Sequence, residues 1–356
     1  MALISTPVTQ MLRIDHPVLL AGMGHTAGSD LVAAVSNAGG LGVLGGLGYT
    51  PKMLRDAIQE VKAKLRNPDL PFGVDLLLPQ VGGSARKTNK DYTKGALNQL
   101  IDVIIDEKAA LFVSAVGIPP KEVVDRLHEA GILYMNMVGH PKHVHKACEA
   151  GADLVCAQGG EAGGHTGEIP TSVLIPACAD ACQQYQSPLA GGVVQLVAAG
   201  GIFDGRGIAA ALMMGASAVW VGTRFVAARE SAAPKLGKKA IIDAGFQDTM
   251  RSTLWTGRPL RALATPFIRD WELNRRSEIE KLQGQGLIVL DYELDRLERE
   301  GKLTDEIEDL TTQRPMGCGA AMVTQEDQSA KEIVLEMVVE AFQLLRGAQK
   351  YVQAKI

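Results

Sequence analysis

The sequence predicts a closed barrel of eight parallel strands alternating with helices, a (β/α)₈ barrel with an inserted loop after the third strand and a C-terminal helical extension. Three observations predict it. From Pro17 to Phe225 the chain repeats one pattern, a short apolar run, a loop rich in Gly or Pro, then a segment of helical spacing, which is how parallel strands joined by helices read. An Ala-Gly or Met-Gly pair leading into an apolar strand ("EAGILYMNM", "EAGADLVCA", "MMGASAVWV") recurs at roughly the length of one β/α unit. The count of strand candidates is eight, more than the five or six usual in an open doubly wound sheet.

The strand runs are Val18–Met23, Leu41–Gly45, Phe72–Leu77, Leu111–Ala115, Ile132–Met137, Leu154–Ala157, Val193–Ala198 and Ala218–Gly222. Helix ends are marked between them. Pro119-Pro120 precedes KEVVDRLHEAG, where proline suits the first turn and Gly131 the stop, and Pro141 with Gly151 repeats the device around KHVHKACEAG. The stretch PQVGGSARKTNKDYTKGALNQL after the third run is polar and basic and reads as an extended loop over the barrel mouth, a candidate lid. After Trp271 the strand pattern stops and charged, amphipathic helical spacing takes over. The expected division is a barrel over residues 1–271 and a helical extension packed on it over 272–356.

Composition narrows the function. Hydrophobic residues at 46% and charged residues at 21% are those of a compact soluble protein. A formal charge of −4, with no long basic stripe, argues against nucleic acid or an anionic membrane as partner. No apolar stretch reaches membrane-spanning length and the N-terminus lacks the features of a secretory signal. The five cysteines are an odd number lying in helix and strand segments, which suits a reducing compartment. Cys178 and Cys182 share a helical face but have no companion histidine pair, so no metal site is expected.

In such a TIM barrel the chemistry sits at the carboxyl ends of the strands. Glycines crowd there: Gly22 at the end of the first run, Gly163 and Gly164 after the sixth, Gly200 and Gly201 after the seventh, Gly222 with the eighth. Backbone N–H groups without a neighbouring Cβ suit a phosphate, and the loops after strands seven and eight are its common site in this fold. A tight turn would account for Gly200-Gly201 as well, but the paired occurrence on neighbouring strands favours phosphate. The sixth loop, AQGGEAGGHTGEIP, adds Gln158, Glu161 and His165. His165 is the candidate acid–base group, because histidine titrates near neutrality. His128, His143 and His145 fall on helix segments and read as solvated, while His25 and His140 follow strands one and five and are weaker pocket candidates.

Taken together and in order, LLAGMG, NAGGLGVLGG, FGVDLLLP, VSAVGIPP, VGHPKH, AQGGEAGGHTG, VAAGGIFDGRGIAAALMMGASAVWVGTRF and TGRP resemble the nitronate monooxygenase family, formerly 2-nitropropane dioxygenases. The resemblance covers Pro17 to about Arg261. It implies non-covalent FMN held around Gly22, Met23, Gln158, Gly163, Gly164, Gly200, Gly201, Gly222 and Thr223, with His165 catalytic. Many relatives read FGVN on the third strand; Asp75 stands in place of that amide, near the flavin, and an ionised carboxylate accepts hydrogen bonds without donating them. The implied reaction converts an alkyl nitronate, or a nitroalkane after proton removal by His165, to a carbonyl compound and nitrite with O₂. Nitronate or nitroalkane and O₂ are then the partners, with a homo-oligomer also open.

Rival readings within the same superfamily are NAD(P)H:quinone reductase and FMN-dependent enoyl thioester reductase. A barrel of the inosine monophosphate dehydrogenase type needs a loop cysteine after strand six, whereas Cys156 lies inside the strand. FAD is not expected, since no GxGxxG fingerprint is present. The expected location is the cytoplasm, with the peroxisome as the alternative, because Ala354-Lys355-Ile356 weakly resembles an import signal of the Ser-Lys-Leu type.

Overall fold

Alternation along the strands sorts their side chains into two cores, and that sorting builds the site. The computed structural model describes residues 2–352. Its strands are β1 (Val18–Leu20), β2 (Gly42–Gly45), β3 (Phe72–Leu77), β4 (Leu111–Ala115), β5 (Leu133–Val138), β6 (Leu154–Gln158), β7 (Gly164–His165), β8 (Gln195–Ala199), β9 (Ala218–Val221), β10 (Thr249–Ser252) and β11 (Leu260–Leu263). Eight of them form one parallel sheet in the order β1-β9-β8-β6-β5-β4-β3-β2. A bridge between Leu19 and Leu41 closes it, with Leu20 N–H donating to the Leu41 carbonyl at 2.9 Å and Leu41 N–H to Val18 at 3.0 Å. This is the (β/α)₈ barrel.

Leu111 and Val113 of β4, Leu133 and Met135 of β5, and Leu154 and Cys156 of β6 point into the barrel. Phe112, Tyr134 and Val155 point out to the helices. The helix Pro7–Leu12, capped by Thr6, plugs the amino-terminal end with Val8 and Leu12 in the inner core. Burial of these apolar side chains at roughly 25 cal/mol per Å² is the main stabilising term.

Six strands differ from the expected bounds, four of them by a single residue at one or both ends and two by more. β1 stops at Leu20 because the chain leaves the sheet for a short 3₁₀ turn at Gly24–Thr26. β8 starts at Gln195, since Val193 is held back by a bridge to Gln186 beyond the left-handed Gly191 and Gly192. A larger difference lies between Phe225 and Trp271, where no strand was expected. There β10 and β11 pair antiparallel, and β11 pairs antiparallel with β7, making a second, three-stranded sheet over the barrel mouth.

The last helix, Ala330–Gly347, joins the main core through Ile333, Val334, Met337 and Val338. Helices Arg276–Gly284 and Val289–Arg299 instead gather with Leu254, Ile268 and Trp271 in a separate small core. His128 is not solvated as the sequence suggested: its Nε2 lies 2.9 Å from the fully buried Asp153, whose other oxygen accepts from Ser187 at 2.6 Å. No helix among the described residues is long and apolar enough to cross a membrane. The tripeptide Ala354-Lys355-Ile356 lies outside the described residues.

Candidate active site

Strand parity puts Asp75 and Gln158 at the carboxyl end of the barrel. On β6, Leu154 and Cys156 face inward, so Gln158 does too, and on β3 Asp75 opposes Gly45 on one side and Val113 on the other. Asp75 is buried, and its Oδ1 has no hydrogen-bond partner among the described residues. Burial pushes its carboxyl up to about 8, so it carries a proton at neutral pH and has an O–H to donate. The glycine at position 22 makes room for it: a Cβ there would lie 2.5 Å from the Asp75 side chain. Burial, and secondarily the proximity of Asp75, raise the Cys156 thiol well above its ordinary value, which removes it as a nucleophile at neutral pH.

The loop after β6 is shaped by its own polar groups. The Gln158 amide donates to the His165 carbonyl, and Gly159 N–H donates to Ala199 at 2.9 Å. The Glu161 carboxylate accepts from the Thr171 backbone N–H at 2.9 Å, while the Thr171 hydroxyl lies 2.6 Å from it and 2.9 Å from the Gly200 carbonyl. The loop then turns through Gly164, at φ 76°, into β7.

His165 therefore sits on a strand edge, paired with Leu260 of β11. Its Nε2 is 2.9 Å from the Thr256 hydroxyl in the β10–β11 turn. That hydroxyl also receives the Arg258 N–H at 3.3 Å and lies 3.4 Å from the Arg258 carbonyl. If Thr256 donates to that carbonyl, Nε2 carries the ring proton and Nδ1 is the free base; the tautomer is assigned from this pattern. Burial, then the Arg258 charge, bring His165 down to about 4, so its ring is neutral at pH 7.

The candidate phosphate loops form the neighbouring wall. Gly200 and Gly201 stand at φ 100° and 70°, and a Cβ on Gly200 would come within 2.9 Å of the Gly159 carbonyl. A Cβ on Gly222 would fall 3.5 Å from the Met23 sulfur, which brings the loop after β1 against the end of β9. The Thr223 hydroxyl accepts from Gly317 N–H at 3.0 Å, and a Cβ on Gly163 would meet the Met316 backbone at 2.7 Å. His165 and the residues expected to hold the cofactor thus gather at one end of the barrel.

Two contributors were missed, a turn and a segment of the helical extension. Thr256 and Arg258 lie in TGRP, noticed only as part of a resemblance, and nothing local signalled that the turn folds back onto His165. Met316–Gly317 come from the helical extension and pack on the β6 loop, with Cys318 N–H donating to Glu161 at 2.9 Å. The loop after β3 docks on the same turn. Thr88 is buried over Gly257, where a Cβ would meet its hydroxyl at 2.2 Å, and Arg86 donates to the Gly257 carbonyl at 3.3 Å. Asp91 holds that loop's shape by accepting from Thr93 and Gly95 N–H, each at 2.8 Å.

Comparison with known proteins fits this architecture. The chain is 37% identical over 272 residues to a hydroxy-methyl-oxo-octahydroindene-carboxyl-CoA dehydrogenase of Mycobacterium tuberculosis, covering 76% of this chain and 70% of that one. It is 33% identical over 300 residues to a probable nitronate monooxygenase of Staphylococcus saprophyticus, covering 74% and 80%. Among solved structures, FabK from Thermotoga maritima superposes with a TM-score of 0.78 at 32% identity, covering 98% of this chain and all of that one. The nitroalkane oxidase of Streptomyces ansochromogenes superposes with a TM-score of 0.76 at 26% identity, covering 96% and 99%. Residues 5–340 match the profile of nitronate monooxygenase, and the chain belongs to that family.

Proposed function

We propose that this protein is an FMN-dependent oxidoreductase that converts alkyl nitronates, with O₂, to a carbonyl compound and nitrite. The observation that carries the choice of nitronate is the neutral His165 set beside the Arg258 cation at the barrel end that also holds a protonated acid. An imidazole near 4 is fully unprotonated at pH 7 but weakly basic, so the preformed anion suits it better than a neutral nitroalkane. Neutral nitroalkanes are expected to be slow substrates.

The residues fit FMN. Asp75 Oδ1 is an orphaned buried polar atom at the end of the barrel, and Gly164 leaves open space where a Cβ would stand. Gly200, Gly201, Gly222 and Thr223 would hold the phosphate, while Gly22, Met23, Asp75, Gln158, Gly163 and Gly164 would border the ring. Asp75 would donate its hydrogen bond there. Bound FMN supplies the electron and oxygen chemistry that side chains lack. His165 orients the substrate and takes its proton where one must be removed. The loop docked by Thr88 and Arg86 covers the mouth and excludes water.

A second reading, a reductase or dehydrogenase acting on a thioester, is favoured by the likeness to the carboxyl-CoA dehydrogenase. The visible spectrum of the purified protein, followed by anaerobic addition of propyl-1-nitronate and, separately, NADH and NADPH, decides between them. Bleaching by nitronate alone supports the proposal. Rapid bleaching by a reduced nicotinamide with none by nitronate supports the second reading, and a colourless protein that gains no absorbance from FMN overturns both.

A further inference from the structure

Every arginine that is partly or fully buried among the described residues has found a carboxylate or a carbonyl, except one. Arg55, Arg126, Arg224, Arg251, Arg275, Arg296 and Arg314 sit in ion pairs, and Arg261 and Arg269 donate to backbone carbonyls. Arg258 is partly buried and has no partner for its guanidinium among the described residues. Removing a guanidinium from water is costly unless a counter-charge or acceptors replace the lost hydration. Here the neighbourhood makes matters worse, because the charged side chain facing Arg258 is Arg86 from the loop after β3, with the Tyr92 phenol beside it. Two cations are thus neighbours, and neither is ion-paired with a carboxylate among the described residues.

Their position is as informative as their charge. One hydroxyl, that of Thr256, touches both His165 Nε2 at 2.9 Å and the Arg258 backbone N–H at 3.3 Å, so the backbone that carries the arginine is fixed in the turn that orients the histidine. Arg86 is fixed to that turn from the other side through the Gly257 carbonyl. Gly164, next to His165, has open space where a Cβ would stand. We propose that Arg258, with Arg86 closing over it, is the substrate-anion subsite, and that it takes a planar three-atom oxyanion such as a nitronate or a carboxylate of the same shape. The guanidinium fork matches two coplanar oxygens bidentately, a match a lysine cannot reproduce. The inference rests on the reading of His165 as the active-site base.

The test uses the flavin-loaded enzyme with three probes: propyl-1-nitronate, neutral 1-nitropropane, and butanoate as a carboxylate of the nitronate's shape. For R258Q the KM for propyl-1-nitronate and the inhibition constant of butanoate are expected to rise about tenfold or more, with 1-nitropropane changed less than about threefold and flavin content unchanged. R258K should fall between. The rise in melting temperature that butanoate gives the parent should vanish in R258Q. The acid limb of the pH–rate profile should move up, because the charges that face His165, from Arg258 and behind it Arg86, have been reduced.

Unchanged butanoate binding in a folded R258Q would overturn the subsite, as would an equal loss for the neutral and anionic probes, which marks a packing role. Inorganic phosphate competing as well as butanoate would overturn the planar geometry. Absence of nitronate turnover together with Arg258-dependent butanoate binding would sink the nitronate reading and leave the subsite standing. If R258Q fails to fold, R86Q at an exposed position decides: butanoate binding several-fold weaker supports the proposal, and unchanged binding overturns it.

Discussion

Two titratable groups of opposite kind, the partly buried His165 and the buried Asp75, give the mouth a pH signature that single substitutions separate. His165 has a native value of about 4 against an ordinary 6.5. The unfolded chain binds its proton first, so the contribution to stability is full above about pH 6.5 and is lost as pH falls toward 4, by up to about 3 kcal/mol. Asp75 has a native value of about 8 against 3.8, so its contribution is full below about pH 4 and declines as pH rises to 8, by at most about 1.4 kcal/mol per pH unit. Between about pH 4 and 6.5 the two slopes oppose each other. His165→Asn should unmask the Asp75 slope, with melting temperature falling as pH rises, and Asp75→Asn should unmask the opposite slope. Melting curves measured across that range that run parallel for both variants would contradict the assignment. At pH 7 Asp75→Asn should keep flavin, since the amide also donates, whereas Asp75→Ala should lose it. His165→Asn should also lose about 10²-fold on nitroethane and less than tenfold on ethyl nitronate, which needs no proton removed.

At the scale of elements, the barrel strands were legible and the hairpin was not, for one physical reason. Strands such as Leu111–Ala115 and Leu154–Gln158 are buried on both faces and read as apolar runs. Thr249–Ser252 and Leu260–Leu263 are four residues each, half exposed, and mix arginine with apolar residues, so no period stands out. The candidate site was legible to the same degree: its glycines and His165 lie at the ends of barrel strands, but Thr256 and Arg258 arrive by a tertiary fold-back that no local pattern records. That fold-back has a testable consequence. Thr256→Val keeps the shape of the turn and deletes the hydroxyl that fixes His165 Nε2, leaving the ring free to rotate. Turnover of the preferred nitronate should drop about tenfold, the equivalent of one hydrogen bond, with flavin content unchanged. Parent-like turnover would show that the ring is held by packing alone.

At the scale of the whole molecule, the helical extension does more than cover the barrel, because part of it reaches the mouth. The sequence offered a boundary near Trp271, where the strand pattern ends, yet Met316 and Gly317 pack against the loop that carries His165. Gly317 approaches it so closely that a Cβ would lie 2.4 Å from the Glu161 carbonyl and 2.9 Å from the Gly163 nitrogen, both rigid backbone atoms. Its own backbone is ordinary for any residue, at φ −87°, so a side chain there meets a steric conflict and no conformational one. We propose on this basis that barrel and extension form one cooperative unit with a shared cofactor site. Gly317→Val should then push the 161–164 loop and the 316–322 segment apart at a cost of about 1–3 kcal/mol, the usual range for overpacking. Gly163, Gly164 and the Thr223 hydroxyl, which accepts from Gly317 N–H, would shift with them. Flavin retention should fall well before the fold is lost, which gel filtration followed by the ratio of flavin to protein absorbance would measure. Gly284→Ala, where a Cβ meets nothing within 4 Å, is the matched control and should stay within about 0.5 kcal/mol of the parent. Full flavin occupancy in Gly317→Val, with melting temperature lowered as much as expected, would separate the extension from the site and make it a stabilising cover alone.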